Sequence, residues 1–522
     1  MVHRYWRLAT VLSALLLLLL YLPSPHHRAP ATVSPRANAY NATAPTSGGV
    51  TIAGIPCRPG VRQAPFSTYS DLCIPRWHGS NGGATAHGVT GTTITLTYRE
   101  ATSSQLQPLY SMVPTSVVGT NGEAVATMQA YIKLFNHFFD LYGRHVVLRP
   151  YAGQSNFLAE DSGLDAPEAQ ADATTAYDLG AFADMSLVDS SQIYVTDLAA
   201  NRVIAFSLYL EPAAWYRQFA PYEYATGPDC NKGAAAAAAF LGTTVAGVAA
   251  TDVGTGLEGR SGRIGIIYPD TGQFPACARQ ISHDLQARYR VSPTKVLGYT
   301  VDLPSLSVQA QSIMASLKSS GVTTVVCSSC DPITPQFLAK AAVAEDYFPQ
   351  WYVEPAFALA GSDDDGFVRL LPDQVVAHVV QPGTVSLPRS RQEAFRALQD
   401  AGFRSRLDPT YPFVYAELLM FFDALQNAGP HLTPRTFENG VFAIPASSAG
   451  APFGAWKEGP GIFDPQNGFT LMHWDPRLVS NEDGEPGAFQ TCDAGNSFSY
   501  DNPVLTGLVR GMPLSCGGDR LP

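Results

Sequence analysis

A chain of 522 residues allows two to four domains at roughly 150 residues each. Charged residues make up 15% and hydrophobic ones 46%, with 45 Gly and 40 Pro, a composition that excludes a disordered or collagen-like chain. The net charge of −11, from 44 acidic against 33 basic residues, and the lack of any Lys/Arg-rich stripe make nucleic acid an unexpected partner.

Residues 1–31 read as an address. Arg4 and Arg7 precede an apolar run from Leu8 to Leu22 that stops at Pro23. At 1.5 Å per residue the run spans only ~22 Å, short of the ~30 Å hydrocarbon core. It is a signal peptide or, if uncleaved, a membrane anchor, and either way the remainder is exported. Residues 32–87 are expected to form a Pro/Ala/Ser/Thr-rich spacer and a disulfide loop, with a formal glycosylation sequon at Asn41-Ala42-Thr43. An even number of cysteines outside the cytosol implies disulfides. Eight cysteines permit 105 pairings. Sequence proximity selects Cys57 with Cys73 and Cys492 with Cys516, which leaves Cys230 with Cys277 and Cys327 with Cys330.

From residue 88 short apolar runs alternate with amphipathic stretches of helical length, the signature of βαβ units on a parallel sheet. A first lobe, 88–228, is expected to hold strands at 93–99, 144–151, 182–187 and 202–207 and helices at 123–140, 166–179 and 191–201. In its first helix Val125, Met128, Ile132, Phe135 and Phe139 recur at spacings of three and four, placing one apolar stripe on the sheet. A second lobe, 229–355, repeats the pattern with helices at 231–249, 274–289, 306–319 and 334–344 and strands at 263–268, 295–301, 322–327 and 350–353. The fold class is therefore α/β, two doubly wound parallel-sheet lobes facing across a cleft. Residues 356–432, with helices at 388–401 and 410–428, return to complete the lobes, and crossovers are expected near 225–231, 354–358 and 376–388. Residues 433–522, rich in Gly and Pro, are expected to be an irregular C-terminal extension with one strand at 469–474.

Several stretches carry a resemblance. Gly88-Val-Thr-Gly-Thr-Thr-Ile-Thr-Leu96, Tyr142-Gly-Arg-His-Val-Val-Leu148, Arg263-Ile-Gly-Ile-Ile-Tyr-Pro-Asp-Thr-Gly272 and Gln309 to Val326, in that order and spacing, resemble type I periplasmic binding proteins. The nearest group is the leucine/isoleucine/valine-binding branch of ABC-transporter substrate-binding proteins, and the resemblance covers roughly 88–430. It implies a venus-flytrap receptor that closes two lobes on a small solute, with an ABC permease as partner and no cofactor. It further implies that the ligand meets Ser190, Ser191, Ser207 and Tyr209 on one lobe and Tyr268, Asp270 and Glu354 on the other. The chain departs from the family's pattern at Leu208 and Tyr209, bulky where small residues are usual, and at Ala152-Gly153, where an acidic pair often follows the second strand.

Each assignment has an alternative. Ser191 also suits a helix N-cap. Tyr209 and Trp215 suit either ligand stacking or an interface between lobes. Cys327-Ser-Ser-Cys330 follows a strand and precedes a helix, the placement of a thioredoxin-type redox pair, so a disulfide oxidoreductase is the enzymatic alternative to a receptor. The other alternative is a ligand sensor or cell-envelope interaction module of the same fold without a transporter. No zinc partners accompany the cysteine pair, and no G-x-S-x-G elbow or H-E-x-x-H helix occurs. The acidic run 363–366 lacks the alternating ligands of a calcium loop and reads as a solvated turn. No metal and no catalytic residue is expected.

Overall fold

The structure, a computed structural model, describes residues 48–517 except 102, 187–190, 207–210, 332, 355–367, 385–386, 448–452, 458, 506–507, 509–511 and 513. The leader, the Asn41 sequon and the 363–366 turn lie outside the described residues.

Residues 94–99 of strand β1 (Thr93–Glu100) are buried on both faces, as a parallel strand covered on both sides requires. It pairs in parallel with β2 (His145–Ala152) and with β3 (Ala183–Asp184), which is followed outward by β4 (Ile204–Phe206) and β5 (Glu223–Tyr224), giving the order β2-β1-β3-β4-β5. The second sheet begins with β6 (Ile264–Pro269), β7 (Lys295–Tyr299), β8 (Thr324–Cys327), β9 (Gln350–Val353) and β10 (Val379–Gly383), also parallel, in the order β7-β6-β8-β9-β10. The two sheets therefore share one winding, and each reverses direction between its first and third strands. That reversal opens a crevice beyond the carboxyl ends of β1 and β3 in one lobe and of β6 and β8 in the other.

Among the described residues the α-helices of eight residues or more are, in chain order, α1 (Ser103–Met112), α2 (Asn121–Phe138), α3 (Ala166–Asp178), α4 (Gln192–Ala200), α5 (Cys230–Phe240), α6 (Phe274–Asp284), α7 (Leu303–Ser319), α8 (Thr334–Ala344), α9 (Glu393–Asp400), α10 (Tyr411–Ala428) and α11 (Pro434–Val441). Their starts are written in the sequence. Thr120 caps α2 by accepting from Glu123 N, Asp229 caps α5 by accepting from Lys232 N, and α6, α7, α8 and α10 carry a proline in their first turn. Helix α5 stops short of the expected 249 and passes into a wider turn at Leu241–Val245. There Gly242 lies against the Tyr289 ring, where a Cβ would come within 2.2 Å.

Helix α10 is apolar on nearly every face and lies in the core of the first lobe. Phe422 meets Phe135 of α2 at 5.3 Å between ring centroids, and Phe421 meets Phe206 of β4 at 6.1 Å. Each such fully buried ring contributes ~1.5–3 kcal/mol. Ala394 and Leu398 of α9 and Phe437 of α11 join the same core.

The chain passes between the lobes after Tyr224, between β10 and α9, and again between Phe463 and β11 (Gly468–Val479). The expected passage at 354–358 lies, beyond Glu354, outside the described residues. Strands β9 and β10, on either side of it, pair with each other in the second sheet. The first and third passages run side by side: Phe463 O accepts from Ala225 N at 3.0 Å, and Asp464 Oδ2 lies 2.8 Å from Lys232 Nζ.

The tail is more regular than expected. Strand β11 adds antiparallel to β10, and β12 (Pro486–Thr491) and β13 (Ser497–Ser499) add to β11. Phe469, Leu471 and Phe498 are buried in the second lobe's core, so apolar alternation overrides the local Gly and Pro content. All four expected disulfides are formed. Among the described residues no helix is long and apolar enough to cross a membrane.

Candidate ligand-binding site

The carboxyl edges of the two sheets face each other. Gln192, at the start of α4 in the first lobe, touches Gly272, in the loop after β6 of the second. Leu106 and Leu109 of α1 and Phe157 and Leu158 after β2 belong to the same apolar cluster as Val301, Leu306 and Ile333 of the second lobe.

On the first lobe this edge is built from buried ions. Arg99, near the end of β1, is 0% exposed; its guanidinium lies 2.6 Å from Glu160 and 3.4 Å from Asp172, and stacks 3.7 Å above the Tyr194 ring. Asp184, at the end of β3, accepts from Thr97 Oγ1 at 2.7 Å and from Ser186 Oγ at 2.5 Å. Burial pushes its carboxyl up to about 6 against the pull of those two hydrogen bonds and of Arg99. Thr97, Asp184, Ala205 and Glu223 are register partners across four strands and so share one face. Glu223 is buried with both oxygens unpartnered, and burial first, then the charges of Glu211 and Asp184, hold its carboxyl well above the usual range. Glu211 accepts from Gln192 Nε2 at 2.6 Å through one oxygen while the other has no partner, and burial raises it to about 8.

On the second lobe Glu354 follows β9 and is 4% exposed. Its Oε2 accepts from Ser328 Oγ at 2.8 Å and from Ser329 N at 3.1 Å, both in the loop between Cys327 and Cys330, while Oε1 has no partner. Burial raises this carboxyl to about 7 even though both hydrogen bonds lower it. Tyr268 is half-buried and Asp270 exposed. Both crowd Gly298 of β7, where a Cβ would lie 3.0 Å from Asp270 and 3.3 Å from the Tyr268 ring.

The residues expected to touch ligand thus divide. Tyr268 and Asp270 stand together at the carboxyl end of β6, against β7, and Glu354 stands beyond β9. Ser191 is fully buried, and its hydroxyl accepts from Tyr194 N at 3.1 Å as the N-cap of α4 and donates to Glu160, the capping alternative named for it in the sequence. Ser190, Ser207 and Tyr209 lie outside the described residues. Trp215 is buried in the first lobe's core beside Phe219, at 4.8 Å between centroids, and does not stand at the cleft. Glu211, Gln192 and Ser328 were not singled out in the sequence; Glu211, an acid just before Pro212 and just after an apolar strand, was the available signal. Among the described residues no group of three His, Cys, Asp or Glu side chains is arranged to hold a metal ion.

No protein-family model and no curated protein sequence matches the chain. Solved structures do. The leucine-, isoleucine-, valine-, threonine- and alanine-binding protein of Brucella ovis, in a closed conformation, superposes with a TM-score of 0.54 at 14% identity, over 78% of this chain and 96% of that one. The fold is that of the type I periplasmic binding proteins. A fatty acid ABC transporter substrate-binding protein of Thermomonospora curvata gives the same TM-score and identity over 83% and 99% of the two chains. A possible leucine/isoleucine/valine-binding protein of Rhodopirellula baltica gives 0.51 at 11% over 77% and 96%. Each lobe here carries the strand order 2-1-3-4-5, and Gln192 of one lobe meets Gly272 of the other.

Proposed function

We propose that the chain is an exported solute-binding receptor that closes its lobes on a small ligand bearing at least one hydrogen-bond donor, such as an ammonium group, and hands it to an ABC-type permease. The observation that carries the reading is Glu354: a buried carboxyl at a carboxyl-end crevice with one oxygen unpartnered. A buried acceptor left without a donor costs ~1–3 kcal/mol, which a ligand N–H or O–H would recover. Glu211 and Glu223 present the same unmet acceptors on the facing lobe. The proposed ligand set is Ser190, Ser207 and Tyr209 on one side and Tyr268, Asp270 and Glu354 on the other, with Ser191 shaping the loop that carries Ser190. Export rests on the leader and on the four disulfides. The leader, if uncleaved, tethers the receptor to the membrane. The oxidoreductase alternative is disfavoured because Cys327 and Cys330 are each only 2% exposed, out of reach of a partner's thiol.

The test is a thermal-shift screen of amino acids, small amides, organic acids and sugars, since binding to the native state raises stability by mass action. A hit should be weakened about tenfold or more by Glu354→Gln, by Tyr268→Ala and by Ser207→Ala. A hit whose affinity all three folded variants retain would remove the cleft as its site.

A further inference from the structure

The second lobe carries a cavity of about 320 Å³ at the opposite end of its sheet from the cleft. Gly262, Thr323 and Gln350 on its wall stand immediately before or at the starts of β6, β8 and β9, whereas Glu354 stands beyond the end of β9. Four residues of extended chain separate Gln350 from Glu354, about 13 Å. The cavity is thus distinct from the crevice between the lobes, and its volume reaches the lower bound usual for small-molecule sites. The tail builds one side of it: His473 of β11, Gln490 of β12, and Leu514 and Cys516 beyond them.

Asp252 is the charged group on this wall, and among the described residues lining it there is no lysine or arginine. Three donors hold it. His378 Nδ1 lies 3.0 Å from Oδ1, His473 Nε2 lies 3.3 Å from Oδ2, and Gln350 Nε2 donates to Oδ2 at 3.0 Å. An ionised carboxylate only accepts, so both imidazoles turn an N–H toward it, and these donors keep the carboxyl well below its ordinary range against the opposing effect of burial. Two oxygens offer about four acceptor directions, of which three are used. What remains is one acceptor direction on a carboxylate with no lysine or arginine among the described residues of the wall, on a side chain 28% exposed at the cavity end of the sheet. The rest of the wall mixes apolar Val248 and Leu514 with the hydroxyls of Thr244 and Thr323 and the amide of Gln490.

We propose that this cavity binds a small organic monocation, a primary ammonium on a compact apolar body, with the ammonium on Asp252 and the body against Val248 and Leu514. The hydrogen bonds from His378, His473 and Gln350 also tie the starts of β9 and β10 to β11, but a purely structural staple needs no open volume beside it. A hydrocarbon body beside a charged amine meets both the open acceptor direction of Asp252 and the side chains of Val248 and Leu514, whereas a carboxylate would face the carboxylate of Asp252.

The experiment is calorimetric titration of the purified full chain with benzylamine, benzyl alcohol and benzoate. Benzylamine should bind, and the other two at least about tenfold more weakly, since they lack the charge. Asp252→Asn should weaken benzylamine about tenfold or more. Ala249→Phe, which fills the cavity from its exposed rim without removing any hydrogen bond to Asp252, should abolish binding and serves if the first variant does not fold. Glu354→Gln should leave benzylamine affinity within about twofold, which separates this site from the cleft. The proposal is overturned if benzylamine gives no heat, if benzyl alcohol binds equally well, if neither Asp252→Asn nor Ala249→Phe weakens binding, or if Glu354→Gln removes it.

Discussion

The side-chain oxygen of Gln192, in the first lobe, lies so close to Gly272 of the second that a methyl group added to the glycine would come within 2.0 Å of it. Gln192 cannot simply swing away, because its amide nitrogen donates to Glu211 at 2.6 Å. The glycine itself has φ +53, where a side chain is strained. Gly272→Val should therefore disfavour the juxtaposed lobes by ~1–3 kcal/mol. Small-angle scattering should report a larger radius of gyration, and pairing the change with Gln192→Ala should restore part of the compaction. An unchanged radius in the single variant would show that the lobes do not meet there.

Breaking the Arg99 cluster should be costly. Arg99→Ala leaves Glu160 and Asp172 as buried carboxyls without their cation, and removing one member of such a pair costs ~3–5 kcal/mol. Urea unfolding measures this directly. A loss below ~1 kcal/mol would place the cluster in contact with water.

Helix α10 offers the opposite case. Glu417 is fully buried with both oxygens unpartnered, and burial alone holds its carboxyl well above the usual range. Glu417→Met removes an unmet polar group at similar volume and should raise stability by ~1–3 kcal/mol. A fall in melting temperature would mean that Glu417 has a partner in solution.

Asp184, Glu354 and Glu211 are raised to about 6, about 7 and about 8 from ordinary values of 3.8, 4.5 and 4.5. Between the unfolded and folded values the native state binds more protons than the unfolded chain, so the stability they contribute is full below about pH 4 and is lost as pH rises through the folded values. The melting temperature should be several degrees higher at about pH 5 than at about pH 8. Glu211→Gln should flatten the upper part of that slope, because an amide does not titrate. A slope identical to the parent's would remove Glu211 as its source.

The tail should be indispensable. Deleting residues 468–522 strips β11, β12 and β13 from the second sheet, leaves β10 as an unpaired edge and removes Phe469, Leu471 and Phe498 from the core, so the truncated chain should aggregate. Soluble, monomeric protein on size-exclusion chromatography would contradict the antiparallel additions.

The lobes were legible where apolar strands and striped helices alternate, as in Ile264–Pro269 followed by Phe274–Asp284. Strand β5 was not, because two residues carry no period, and β10 was not, because Pro382 and Gly383 disguise its end. Helix α1 was hidden by its serines and Pro108, which lower helix propensity while Leu106 and Leu109 hold it to the second lobe's core. Tyr268 and Glu354 could be named because each ends or follows an apolar run. Glu211's partner is 19 positions away and Glu223 stands on the neighbouring strand, so only the fold brings their carboxyls together. Ser191 illustrates the converse: one hydroxyl fitted two roles, and the buried Glu160 beside it decided for the cap.

Because α9, α10, α11 and Phe463 complete the core of the first lobe, the lobe that is begun first is not finished until the chain is nearly complete. At roughly 5–20 residues per second, tens of seconds pass between the synthesis of β5 and that of Phe463. Until α10 is made, the faces of α2 and β4 that will receive Phe422 and Phe421 lack those rings. The second sheet's five parallel strands, by contrast, are all present before α9 begins. Both lobes thus close late, the first with Phe463 and the second only when Phe469, Leu471 and Phe498 have been made.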